Sequence, residues 1–135
     1  MYTVEDIKQR LQDKGVSPSN YRIKILKYLL ENKNHATVDK IYTDLKADMP
    51  TMSKTTVYNT LEIFIHNNIV QVITIEEGET RYDADTSTHG HFKCTVCGEV
   101  YDFDVTLPNI DTESLKDFEI EEKHIYYKGR CNKCK

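Results

Sequence analysis

Over the first sixty residues, apolar positions return at helical spacing. The pattern predicts a first helix from Val4 to Lys14, stopped by Gly15 as its C-terminal cap residue. "SPSNYRIKILKYLLEN" starts a second helix, with Ile23, Leu26, Leu29 and Leu30 on one stripe. In "NKNHATVDKIYTDLKADMP" a turn leads to an N-cap at Thr37 and a third helix, whose Val38, Ile41, Tyr42 and Leu45 face inward and which Pro50 ends. "TMSKTTVYNTLEIFIHNN" gives a fourth helix capped by Ser53, with Val57, Leu61, Phe64 and Ile65 as its apolar face. The period then drops to two in "IVQVITI" and "TRYDA", which flank "EEGE" and read as a hairpin.

Three helices followed by a two-stranded wing make a winged helix-turn-helix. The second helix of such a motif enters the major groove of double-stranded DNA, so the fourth helix here is expected to read DNA. Lys54 is expected at phosphate, with Thr55, Tyr58 and Asn59 near bases or sugar-phosphate. The bland alternative is the exposed face of a structural helix.

At "DTST", residues 85–88, the texture turns small and polar, as in a hinge. Beyond it "HFKCTV", "VYDFDV" and "EIEEKHIYYKGRC" read as strands and "TESLKDF" as a helix between them. The expected class is α+β. A winged helix-turn-helix over residues 1–84 is followed by a hinge at 85–88 and a small α/β domain over 89–135.

Composition changes the picture in two ways. Two parts drawn from 135 residues bury thin cores, so a metal or a partner subunit is expected to help. Net charge is −4, which argues against nucleic acid until its distribution is seen. Residues 1–60 carry ten Lys/Arg against seven Asp/Glu, and the remainder eight against fifteen. That asymmetry suits a basic working surface in front and a different task behind. No stretch approaches the ~18 apolar residues of a membrane helix, and the start lacks a signal-peptide core. A reducing cytoplasm is the expected setting, with no membrane partner.

"HGHFKCTVCGEVYD", residues 89–102, crowds metal-capable side chains into a chain with only five histidines and four cysteines. Soft sulfur and harder nitrogen or oxygen ligands prefer different metals, so two sites are expected. Cys94-x2-Cys97-Gly98 and Cys131-x2-Cys134 are paired knuckles, which together form a closed tetrathiolate zinc site. Two disulfides are the competing reading, disfavoured in a reducing compartment. His89 and His91 share a strand face while Phe92 points the other way into the core. Asp102, on the next strand, can reach the imidazoles. Such a set suits iron, manganese or zinc.

Together, "MSKTTVYNTL", the His-x-His-x2-Cys-x2-Cys-Gly block, "VYDF" and the terminal Cys-x2-Cys resemble the ferric uptake regulator family, in order and over nearly the whole chain. The resemblance implies a homodimeric, metal-dependent repressor of an inverted-repeat operator, with dimerisation through the C-terminal domain. Within the family the chain is most similar to the peroxide-sensing branch. That branch's five regulatory ligands fall on His35, Asp83, His89, His91 and Asp102, taking Fe2+ or Mn2+. Iron-uptake members tend to have Glu at the positions of Asp83 and Asp102, and Arg at that of Asn59. The branch further implies that, with iron bound, peroxide adds an oxygen atom to His35 or His89 and releases the metal, whereas manganese represses but resists.

Departures are informative. Ser17 stands where the family commonly has a basic residue that reaches DNA. Thr88 and Gly90 replace the His and Asp of an extra site in iron-uptake members, so that site is expected to be absent. His66 and His124 match no regulatory ligand. Competing readings are a metal-level repressor without oxidation chemistry, a mononuclear metalloenzyme, and a zinc-ribbon adaptor. Five protein ligands leave a substrate little room, and an adaptor needs neither the His/Asp set nor a winged helix; no catalytic residues are expected.

Overall fold

The computed structural model describes residues 2–76, 78–87, 89–105, 112–121 and 123–135. They form two compact units, Met1–Thr86 and Ser87–Lys135. The fold is α+β.

In the first unit α1 spans Val4–Asp13, α2 Asn20–Asn32, α3 Val38–Leu45 and α4 Lys54–His66. Each begins at a hydroxyl cap: Thr3, Ser19, Thr37 and Ser53 accept from the backbone N–H three residues on. At the end of α1, Gly15 has φ 77°, and the N–H groups of Gly15 and Val16 return to Gln12 and Leu11. That doubly bonded, left-handed ending needs a residue without Cβ strain, which is what glycine supplies. Ile7, Leu11, Ile25, Leu26, Ile41, Val57, Leu61 and Phe64 form the core; each contributes about 1.5–3 kcal/mol by leaving water.

The helix boundaries follow the sequence closely, but the buried faces are broader than single stripes. On α2 it is Ile25 and Tyr28 that are buried with Leu26, Leu29 and Leu30, while Ile23 is only half-buried. Packing against both α1 and α4 widens the face that α2 conceals. α3 stops at Leu45 rather than at Pro50, because the N–H groups of Asp48 and Met49 both turn back to the Leu45 carbonyl. On α4, Thr60 is buried where Ile65 was expected. The wing pairs β1 (Gln71–Glu76) antiparallel to β2 (Glu79–Asp83), with a bulge between Ile73 and Glu76.

The second unit is a three-stranded sheet of β3 (His89–Cys94), β4 (Val100–Asp104) and β5 (Tyr126–Gly129), ordered β4-β3-β5. β3 runs antiparallel to β4 and parallel to β5. Two expectations are corrected here. "TESLKDF" forms only a single 3-10 turn at Glu113–Leu115. Its apolar Leu115 and Phe118 are exposed, so no packed face offsets the cost of helix nucleation. The last strand is confined to Tyr126–Gly129, the stretch that finds a hydrogen-bonding partner in β3. Phe92 is half-buried, whereas Lys93 is buried with its Nζ on the Gly98 carbonyl at 3.0 Å. Among the described residues no helix is long and apolar enough to cross a membrane.

Candidate functional site

The sheet register of the second unit separates the two kinds of ligand. His91 lies directly across from Asp102, and His89 across from Asp104. With side chains alternating along β3, the two imidazoles point to one face and Cys94 to the other. His91 Nε2 is 3.3 Å and His89 Nε2 3.4 Å from the same Asp102 Oδ1, with the rings edge to face. Both imidazoles are buried while Asp102 is partly exposed. Donor atoms about 3–3.5 Å apart are what bonds of about 2.1 Å to one divalent ion require. A ring-to-carboxylate ion pair is the other chemistry this spacing allows.

Gly90, between the two histidines, has a packing reason to be glycine. A Cβ there would lie 2.8 Å from Phe103 Cε1, with Cζ and Cε2 nearer still. The Phe103 ring covers that space and stacks on Tyr127, centroids 4.9 Å apart. An Asp at this position has no room, which bears on the extra site of iron-uptake members; Thr88 lies outside the described residues.

On the opposite face the four cysteines are gathered. The Sγ atoms of Cys94, Cys97, Cys131 and Cys134 lie within 4.8 Å of one another, and those of Cys97 and Cys131 are 3.9 Å apart. Tetrahedral bonds of about 2.3 Å place sulfurs about 3.8 Å apart, whereas a disulfide needs about 2.05 Å. All four are free thiols, so the arrangement fits a zinc ion and not two disulfides. The backbone N–H groups of Cys97 and Cys131 point at Cys94 Sγ from 3.5 and 3.4 Å and lower its thiol to about 6, favouring the thiolate a metal needs. The Tyr101 hydroxyl lowers Cys131 in the same way. Sequence reading missed Tyr101, although period-two alternation puts it on the cysteine face of β4, opposite Asp102.

In the first unit His35 and Asp83, far apart in the sequence, are brought together, with His35 Nε2 3.6 Å from Asp83 Oδ2. Both side chains are buried. The wing makes this pairing: Arg81 Nη1 donates to the His35 carbonyl at 3.2 Å, and Tyr82 N–H to the Ala36 carbonyl at 3.0 Å. His35 itself sits in the left-handed region, φ 49°, a conformation that costs a non-glycine residue about 1–2 kcal/mol. Strain of that order persists only where the surrounding structure holds it.

The four residues expected at DNA are all exposed on α4. Tyr58 is half-exposed and lines a cavity of about 500 Å³ with Thr37, Val38, Asp39, Gly78, Thr80 and Tyr82. Lys54 is held by Asp39 at 3.0 Å and lies 5.7 Å from the Tyr42 ring centre, so phosphate must compete with an ion pair. Ser17 takes two hydrogen bonds from Arg22 Nη1, at its carbonyl and its hydroxyl. His66 bonds the Glu62 carbonyl and His124 the Tyr126 hydroxyl; both are exposed.

The chain belongs to the ferric uptake regulator family, which matches residues 13–128. It is 32% identical over 136 residues to the peroxide-responsive repressor PerR of Staphylococcus aureus, covering 98% of this chain and 92% of that one. PerR from Streptococcus pyogenes, solved for its role in peroxide sensing and gene regulation, is 27% identical with a TM-score of 0.55, covering 100% of this chain and 95% of that one. The Helicobacter pylori ferric uptake regulator, described with three functional metal binding sites, is similar in fold alone at 21% identity, with a TM-score of 0.74 over 98% and 94% of the two chains. The protein is therefore a metal-dependent regulator from a family of transcription regulators rather than of enzymes.

Proposed function

We propose that this protein is a dimeric, metal-dependent repressor of DNA that senses peroxide. The observation that carries the reading is Asp102, a carboxylate one methylene shorter than Glu, standing within 3.4 Å of both His89 and His91. In this reading residues 1–84 bind DNA, 85–88 are a hinge, and 89–135 dimerise in the cytoplasm. His35 and Asp83 from the first part, with His89, His91 and Asp102 from the second, hold one Fe2+ or Mn2+. Holding both parts on one ion fixes the spacing of the two recognition helices for an inverted repeat. Moving such an equilibrium from 1:99 to 99:1 needs about a 10⁴-fold differential affinity, or 5.5 kcal/mol. The four cysteines hold structural zinc.

Ferrous iron supplies a one-electron reductant for peroxide when bound. The imidazoles of His35 and His89 are the groups poised to take up oxygen. An oxidised imidazole is a poorer ligand, so the link between the two parts is released and DNA with it. Residues Lys54, Thr55, Tyr58 and Asn59 make the DNA contacts. The test is fluorescence anisotropy with a duplex selected by the protein from a random pool. Mn(II) should tighten binding at least a hundredfold, and His35→Ala should abolish that gain while keeping zinc and dimer. Binding by the parent protein that ignores Mn(II) contradicts the reading.

A further inference from the structure

The five residues between α2 and α3 contain two left-handed, non-glycine residues, Lys33 at φ 48° and His35 at φ 49°. The wing holds this loop on one side, through the His35 and Ala36 carbonyls. The loop is also bonded to the hydroxyl of a buried tyrosine, Tyr28, for which neither DNA nor metal gives a use. Tyr28, in the core of α2, donates from its hydroxyl to Asp44 Oδ2 at 2.5 Å and accepts from Asn34 Nδ2 at 2.9 Å. Asn32 Nδ2 bonds the Tyr28 carbonyl at 2.8 Å, and Lys40 Nζ holds the second oxygen of Asp44 at 3.3 Å. Asn34 is the residue between the two left-handed positions. Asp44 stands in the last turn of α3, the helix that packs on α4.

We propose that the Tyr28 hydroxyl, with Asn34 and Asp44, is a strut that presets the backbone of His35 and ties that loop to α3. It acts as a positioning group, touching no metal itself. Because the hydroxyl bonds the loop and α3 at once, a change at His35 reaches the helix-turn-helix through Tyr28 as well as through the wing. A tyrosine ring alone would fill the core; the two polar partners at its tip are the feature that packing does not need. Burial, then the bond to Asp44, pushes the phenol up to about 12, so its proton stays in place throughout the neutral range. The same bond lowers Asp44 and keeps it a carboxylate acceptor. The inference rests on the reading of His35 as a metal ligand.

The test uses the full-length, zinc-loaded dimer. Tyr28→Phe keeps the ring and removes the strut. Mn(II) titration should show about tenfold weaker binding, and amides 33–37 of the manganese-free protein should exchange faster. Asp44→Ala, at a more exposed position, should behave alike, whereas Asp44→Asn, still an acceptor, should stay within about twofold of the parent. A purely structural tyrosine would lower the melting temperature without moving Mn(II) affinity. Affinity and exchange unchanged in both Tyr28→Phe and Asp44→Ala overturn the strut alone. Mn(II) affinity unchanged in His35→Ala overturns the ligand reading and the strut with it.

Discussion

The ring of Phe103 on β4 occupies the space where a side chain at Gly90 on β3 would begin. The neighbouring register pair sets His91 across from Asp102, whose carboxylate lies within 3.4 Å of both histidines that flank Gly90. Gly90→Ala should therefore force Phe103 off its stack with Tyr127 and cost about 1–3 kcal/mol of stability, as overpacking does. Urea unfolding of the zinc-loaded protein reads this directly. Zinc content should be unchanged, because Cys94 ends β3, Cys97 lies in the turn after it, and Cys131 and Cys134 follow β5, all away from the Gly90 end of the strand.

The recognition surface has an equally specific expectation. Tyr58 is half-exposed on α4 and lies outside the buried core of the first unit. Tyr58→Ala should weaken DNA binding at least tenfold while melting temperature and metal content stay as in the parent. Lys54→Gln should reduce the slope of log affinity against log salt by about 1, the signature of one phosphate contact. Unaltered affinity in both would remove α4 as the reading helix.

Zinc should be inseparable from the fold of the second unit. Among its described residues that unit has few fully buried apolar side chains, and Cys94 is itself one of the most buried. Structural zinc contributes about 10–16 kcal/mol in small domains. Cys94→Ser or Cys131→Ser should lose zinc, the circular-dichroism signal of the sheet and the dimer together. A well-folded, zinc-free dimer would show that the cysteines serve some other purpose.

Much of this was legible in the residues. Thr37 and Ser53 announce the starts of α3 and α4 because a hydroxyl cap precedes each apolar run, and Gly15 marks the end of α1 by its backbone freedom. The paired cysteines declare their sulfur cluster by spacing, taken together with the expectation of a reducing compartment. His89, His91 and Asp102 follow from strand alternation, and the register supplies the remainder. What the sequence hid are relations between distant segments. Nothing local tells that the Tyr28 hydroxyl will find Asp44, that β5 will lie parallel beside β3, or that Lys93 will be more buried than Phe92. The 112–118 segment has helical spacing, but among the described residues its Leu115 and Phe118 stay exposed, and periodicity cannot report whether an apolar face finds cover.

The central claim is that histidine, not cysteine, records peroxide. Protein loaded with zinc and Fe(II), given a brief and roughly equimolar dose of peroxide, should be digested and its peptides weighed. The account predicts one added oxygen atom on a peptide carrying His35 or His89, and none when Mn(II) replaces iron. Oxidation confined to Cys94, Cys97, Cys131 and Cys134, with both histidine peptides unmodified, would contradict it.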